Sequence, residues 1–115
     1  MKIVNLETFR SLPNGTVFSK YEPCVFRGLK IKVDTWDSDF LYQNLMENVK
    51  CESSGDFSDK CDFAEAGGSI ALDFNCTDRD GLHENDQLFA VYEKDDLTGL
   101  INRLKIAEET LTSED

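Results

Sequence analysis

The acidic charge of this chain is concentrated in its second half, where it is punctuated by apolar runs with strand character. Residues 1–51 carry seven Lys or Arg and six Asp or Glu; residues 52–115 carry five and seventeen. The densest stretch runs from Asp73 through Asp78, Asp80, Gly81, His83 and Glu84 to Asp86. It lies between Ser69–Phe74 and Gln87–Glu93, which both read as β-strands. Acids bracketed by strands are displayed by a folded scaffold and not by a floppy tail. A rigid anionic face of this kind suits a partner with a cationic surface.

Length and composition predict a single acidic domain, residues 1–115. The eight Phe, three Tyr and Trp36 are enough for one core and too many for a disordered chain. No apolar run approaches the roughly 20 residues that span a bilayer. Met1–Glu7 has no apolar signal region and meets an acid at Glu7, so the expected compartment is cytosol. Cys24, Cys51, Cys61 and Cys76 form no C-x-x-C pair, and His83 is the one histidine. That spacing does not fit structural zinc, and four reduced, partly buried thiols are expected.

Hydrophobic periodicity gives an α+β fold: an antiparallel sheet of four to six strands with two or three helices packed on it. Lys2–Val4 starts a strand, and Asn5 caps a short helix over Leu6–Leu12 with Leu6 and Phe9 inward. Pro13-Asn14-Gly15 is a turn. Thr16–Tyr21 is a strand that Glu22-Pro23 breaks. Leu29, Ile31 and Val33 alternate with Lys30, Lys32 and Asp34, which predicts a half-exposed strand with a cationic outer face. Gly28 marks a bulge or turn. Phe40–Cys51 fits a strand or a helix, with strand favoured. Asp56–Ala66 reads as a helix that Gly67-Gly68 stops. Ser69–Phe74 is a strand with Ile70, Leu72 and Phe74 on one side, and Gln87–Glu93 is the strongest strand and is expected to be central. Asp95 or Asp96 caps an amphipathic C-terminal helix over about residues 96–109, with Leu97, Leu100, Ile101 and Leu104 against the sheet. Residues 110–115 are expected to fray.

The acidic loop invites a calcium reading. With Gly81 at position six of an EF-hand loop, Cys76 falls at position one and Gln87 at position twelve, where Asp and Glu belong. A high-affinity site is therefore not expected; weak divalent binding is the residual alternative. No cofactor is expected. Phosphate-loop and nucleophile-elbow motifs are absent, and the cysteines and His83 form no clear nucleophile–base pair. Lys20, Arg27, Lys30 and Lys32, interleaved with Phe18, Tyr21 and Phe26, would be a small stacking platform at most, so direct nucleic-acid binding is not expected. Imitation of nucleic acid is the opposite reading, since duplex DNA also presents dense negative charge. The expected binding face is Asp78, Asp80, Glu84 and Asp86, supported by Asp73 or by Asp95 and Asp96. A second patch is Asp34, Trp36, Asp37 and Asp39, where an aromatic among acids can anchor as well as attract.

Three stretches taken together carry a resemblance: Leu12-Pro13-Asn14-Gly15-Thr16-Val17-Phe18-Ser19-Lys20-Tyr21-Glu22-Pro23; Leu72-Asp73-Phe74-Asn75-Cys76 with Arg79-Asp80-Gly81-Leu82; and Gln87-Leu88-Phe89-Ala90-Val91-Tyr92-Glu93-Lys94-Asp95-Asp96. The chain resembles small acidic accessory proteins of bacteriophages and prophages. The resemblance implies expression in a bacterial host cell and action by binding a host protein, defence nucleases of the restriction or CRISPR kind among them. The expected function is a non-enzymatic inhibitor of a basic host protein. A phage structural or regulatory adaptor, dimerising through an open sheet edge, is the alternative, and a metal-dependent enzyme is the third.

Overall fold

A computed structural model describes residues 1–36, 39–82 and 84–114, with side chains through residue 111. The architecture is α+β. Strands β1 (Lys2–Asn5), β2 (Val17–Glu22), β3 (Val25–Trp36), β4 (Asp39–Asn44), β5 (Asp78–Arg79) and β6 (Leu88–Val91) form one antiparallel sheet in the order β1-β6-β2-β3-β4-β5. Helices α1 (Leu6–Ser11), α2 (Ser54–Glu65) and α3 (Lys94–Glu114) complete the chain. β6 lies between β1 and β2, with Phe89 and Ala90 buried.

Local chemistry sets the element ends. The Asn5 side chain accepts the Thr8 N–H at 2.9 Å and caps α1. The Ser53 hydroxyl accepts the Asp56 N–H at 3.1 Å and caps α2, and Gly67 at φ +101° ends it. At α3 the Asp96 carboxylate reaches back to the Glu93 N–H at 2.8 Å, as the acid of a capping box does. Pro23 and Cys24 make a two-residue turn between the paired Glu22 and Val25, with Cys24 at φ +66°. Gly28, at φ +70°, sits opposite an irregularity in register between Phe18 and Lys20, the expected bulge.

The core lies between α1 and one face of the sheet. Phe9 stacks on Phe89 with centroids 4.2 Å apart and meets Phe18 and Phe40 edge-on at 4.6 and 5.0 Å; Leu6 completes the cluster. Burying each ring contributes about 1.5–3 kcal/mol relative to exposure.

Register puts Lys20 beside Phe89, Lys30 beside Phe18 and Lys32 beside Tyr42, so all three lysines share the core face. This inverts the expected phase of β3. Lys32 is 1% exposed; its ammonium lies 5.5 Å from the Phe9 centroid and donates to the carbonyls of Phe9, Arg10 and Leu12 at 3.3, 2.9 and 2.6 Å. The C-terminal carbonyls of α1 need donors, and a long aliphatic stem with a charged tip supplies them through an aromatic layer. Leu29, Ile31 and Val33 turn to the opposite face and are only half-buried.

Two further expectations are corrected. Ser69–Phe74 is not a strand: it joins the structure at one bridge, Leu72 to Val49, because the Asp73 carboxylate takes the Asn75 N–H and bends the chain there. Within α3, Leu97 and Leu100 are half-buried, but Ile101 and Leu104 are exposed and do not lie buried against the sheet. The helix stands away from the outer sheet face across an apolar cleft of about 600 Å³ lined by Leu29, Leu45, Met46, Phe74, Leu100 and Leu104. The radius of gyration, 16.5 Å, accordingly exceeds the roughly 13 Å of a compact chain near this length.

Candidate functional site

The segment from β5 to β6 must cross the sheet, since β5 is an outer strand and β6 lies near the other side. Two acids pin it. Asp39, 2% exposed, binds the Arg79 guanidinium, both of its oxygens accept the Gly81 N–H at 3.0 and 3.1 Å, and one accepts the Phe40 N–H at 2.9 Å. Burial alone would raise the Asp39 pKa; Arg79 and the two N–H groups reverse this and hold it below the ordinary carboxylate value. Asp80 pairs with Lys20 at 2.5 Å, with side chains 9% and 18% exposed. Gly81, at φ +68°, makes the turn between these anchors. The Gln87 amide closes the crossing by donating to the Tyr21 carbonyl at 3.2 Å.

The acidic loop therefore divides. Asp80 is an anchor and not a displayed charge, which corrects its expected role. Glu84 and Asp86 are exposed, and among the described residues no cation lies within ion-pair distance of either. They line a small depression of about 180 Å³ with Tyr21, Glu22 and Pro23, at the tip of the β2–β3 hairpin. Glu22 pairs with Arg27 at 3.2 Å across the same hairpin. The result is a fixed acidic tip with a tyrosine and a proline in it.

Asp78 lies apart from this tip. It is half-buried opposite Tyr42, and with burial it raises the Tyr42 pKa. Burial, followed by Asp78 and Asp73, raises the Cys76 pKa as well, so this sulfur stays a thiol and a poor nucleophile at neutral pH. All four cysteines are unpaired. Asp95 and Asp96 lie in the first turn of α3, which starts at Lys94; the Met1 amine at 2.7 Å, then the Glu93 N–H, lower the Asp96 pKa.

The Trp36 patch changes character. Trp36 is 52% exposed, but the Arg79 guanidinium lies 4.8 Å over its ring, and Asp39 is buried beneath. Asp34 is exposed and accepts the Thr35 N–H. Asp37 and His83 lie outside the described residues. This is a cation–aromatic surface and not an acidic one. The basic platform also dissolves, because Lys20, Lys30 and Lys32 face the core. Sequence reasoning assigned no site to α2, whose Asp59, Asp62 and Glu65 are exposed beside Phe57 and Phe63. The regular acid spacing of that helix was its visible signal.

Among the described residues no group of three or more His, Cys, Asp or Glu is placed to hold a metal, and no helix is long and apolar enough to cross a membrane. Comparison with protein-family models, characterised proteins and solved structures finds no match to this chain.

Proposed function

We propose that this chain is a non-enzymatic binding protein that captures and inhibits a basic host protein, most naturally a complex that handles nucleic acid, during phage growth in a bacterial cell. The observation that carries the reading is the division of labour among its charges. Lysines Lys20, Lys30 and Lys32 are turned into the core face, whereas Glu84 and Asp86 are held outward on an anchored loop. The surface therefore keeps the anionic excess of a chain whose net charge is −11. Such a field accelerates encounter with a cationic partner, and an anchored loop loses little entropy on docking.

The test is affinity capture from a bacterial lysate, followed by association kinetics with the captured protein. Reversing Glu84 and Asp86 to Lys together should slow association at low salt and change the melting curve little, because exposed unpaired charges contribute little to folding. An unchanged on-rate at both low and high salt would remove the hairpin tip as the contact.

A further inference from the structure

Two clefts adjoin beneath helix α3, and Leu29 and Leu100 belong to the walls of both. The first, of about 460 Å³, has Phe26 and Tyr92 on one side and Asp96 and Arg103 of the helix on the other. The second is the apolar cleft of about 600 Å³. Met46, Phe74 and Leu104 on its walls are 68%, 63% and 56% exposed. Apolar side chains gathered around a concavity with a few polar groups are the usual lining of a small-molecule site. Each volume falls within the roughly 300–1,000 Å³ of such sites.

The charges select the ligand. Asp96 is already met by the Met1 amine at 2.7 Å and by the Glu93 N–H at 2.8 Å. The Tyr92 hydroxyl is committed too. Ser19 donates its one proton to the Gly28 carbonyl, so Tyr92 donates to the Ser19 oxygen, 2.9 Å away. That leaves Arg103, for which no carboxylate lies within ion-pair distance among the described residues. Its guanidinium is always charged and offers paired N–H donors that match a carboxylate. Glu47, on the wall of the second cleft, repels a carboxylate there and so sets the direction of the ligand. An extended peptide would leave backbone N–H and C=O groups unpaired between apolar walls, and a basic amphipathic helix would bring its cations toward Arg103. An alkyl chain has neither difficulty.

We propose that the space beneath α3 binds a medium-chain carboxylate. Its head lies on Arg103, and its alkyl chain passes beneath Leu100 toward Leu45, Met46 and Phe74. The site stands whether or not the acidic hairpin tip captures a partner.

Calorimetric titration of the full chain with decanoate and with decanol tests this, in about 0.15 M NaCl so that surface repulsion is screened beyond about 8 Å. Decanoate should bind one-to-one. Arg103→Gln should weaken decanoate roughly tenfold and leave decanol unchanged, since only the charged head loses a partner. Arg103→Lys should recover most of the loss. Met46→Gln and Phe74→Ser should weaken both ligands with the wild-type melting curve, because both side chains are exposed. No decanoate binding up to its solubility limit overturns the proposal. So does an Arg103→Gln variant that loses nothing, or loses both ligands equally, and so does unchanged binding in both Met46→Gln and Phe74→Ser. A basic amphipathic peptide that displaces decanoate, and binds more tightly still to Arg103→Gln, would assign the cleft to a partner helix and overturns it as well.

Discussion

Lys32 combines the charge of a surface residue with the burial of a core one, and both properties are used. Its side chain stands opposite Tyr42 and runs over Phe9, and its tip completes the end of α1. Lys32→Met keeps the stem and removes the donors, leaving carbonyls of Phe9, Arg10 and Leu12 without this partner. Urea unfolding should show a loss of about 1–3 kcal/mol, because the Leu12 carbonyl loses its Lys32 donor while the Phe9 and Arg10 carbonyls keep the Leu12 N–H and the Thr35 hydroxyl. Asp39 makes the complementary case for acids. Its folded pKa lies below the ordinary 3.8, so its contribution is complete above that value and is lost as pH falls through the depressed folded value. Asp39→Asn should lower stability at neutral pH by about 1–2 kcal/mol, less than a fully buried pair because Arg79 is half-exposed. Stability measured against pH should then fall less steeply for Asp39→Asn than for the wild type across this acid range; equal slopes would remove Asp39 as the source. Neither role was legible in the sequence. Alternation assigns lysines outward and cannot see that α1 ends above them, and an acid near a tryptophan looks like a surface anchor until its N–H donors, 40 residues away at Arg79–Gly81, are brought to it.

Elements whose ends depend on local chemistry were readable. Asn5, Pro13-Asn14-Gly15, Gly28 and Gly67 act where their own backbone preferences place them. Ser69–Phe74 was misread because alternating Ile70, Leu72 and Phe74 satisfies the strand pattern without supplying a partner strand. β5 was missed because two residues carry no periodicity. Two glycines separate local from tertiary effects. A Cβ at Gly99, inside α3, would meet nothing within 4 Å, so Gly99→Ala should raise the helix's stability by about 1 kcal/mol, seen as helical signal persisting to higher temperature. Gly81 is also open around its missing Cβ, yet its φ of +68° is a conformation that β-branched residues avoid. Gly81→Val should cost roughly 1–2 kcal/mol or more by denaturant unfolding. It should also loosen the crossing that holds Glu84 and Asp86. Stabilities matching the wild type would show that the loop can reach these anchors with an ordinary backbone.

For the whole molecule, the sequence disclosed that charge dominates the surface but not which acids present it. Asp80 and Asp39 have the same charge as Glu84 and Asp86 and do the opposite work; only the crossing from β5 to β6 distinguishes them. This division makes ionic strength act in two directions. A net charge of −11 repels itself within one small body, and salt screens that repulsion. The two ion pairs that anchor the crossing are protected from salt, since Asp39 is buried and the Lys20–Asp80 pair is largely enclosed, and the exposed pairs such as Glu22–Arg27 contribute little. Between about 0.05 and 0.5 M NaCl the Debye length falls from roughly 14 Å to 4 Å, shorter than most distances across the acidic surface. The melting temperature should therefore rise with NaCl over this range. Association with a cationic partner should slow over the same range, because long-range attraction is screened while the contact geometry is unchanged. Parallel measurements with NaCl and sodium sulfate at equal ionic strength separate screening from general salting-out, which sulfate strengthens. A melting temperature that falls with NaCl would mean that exposed ion pairs, and not anionic self-repulsion, dominate the electrostatics of the fold.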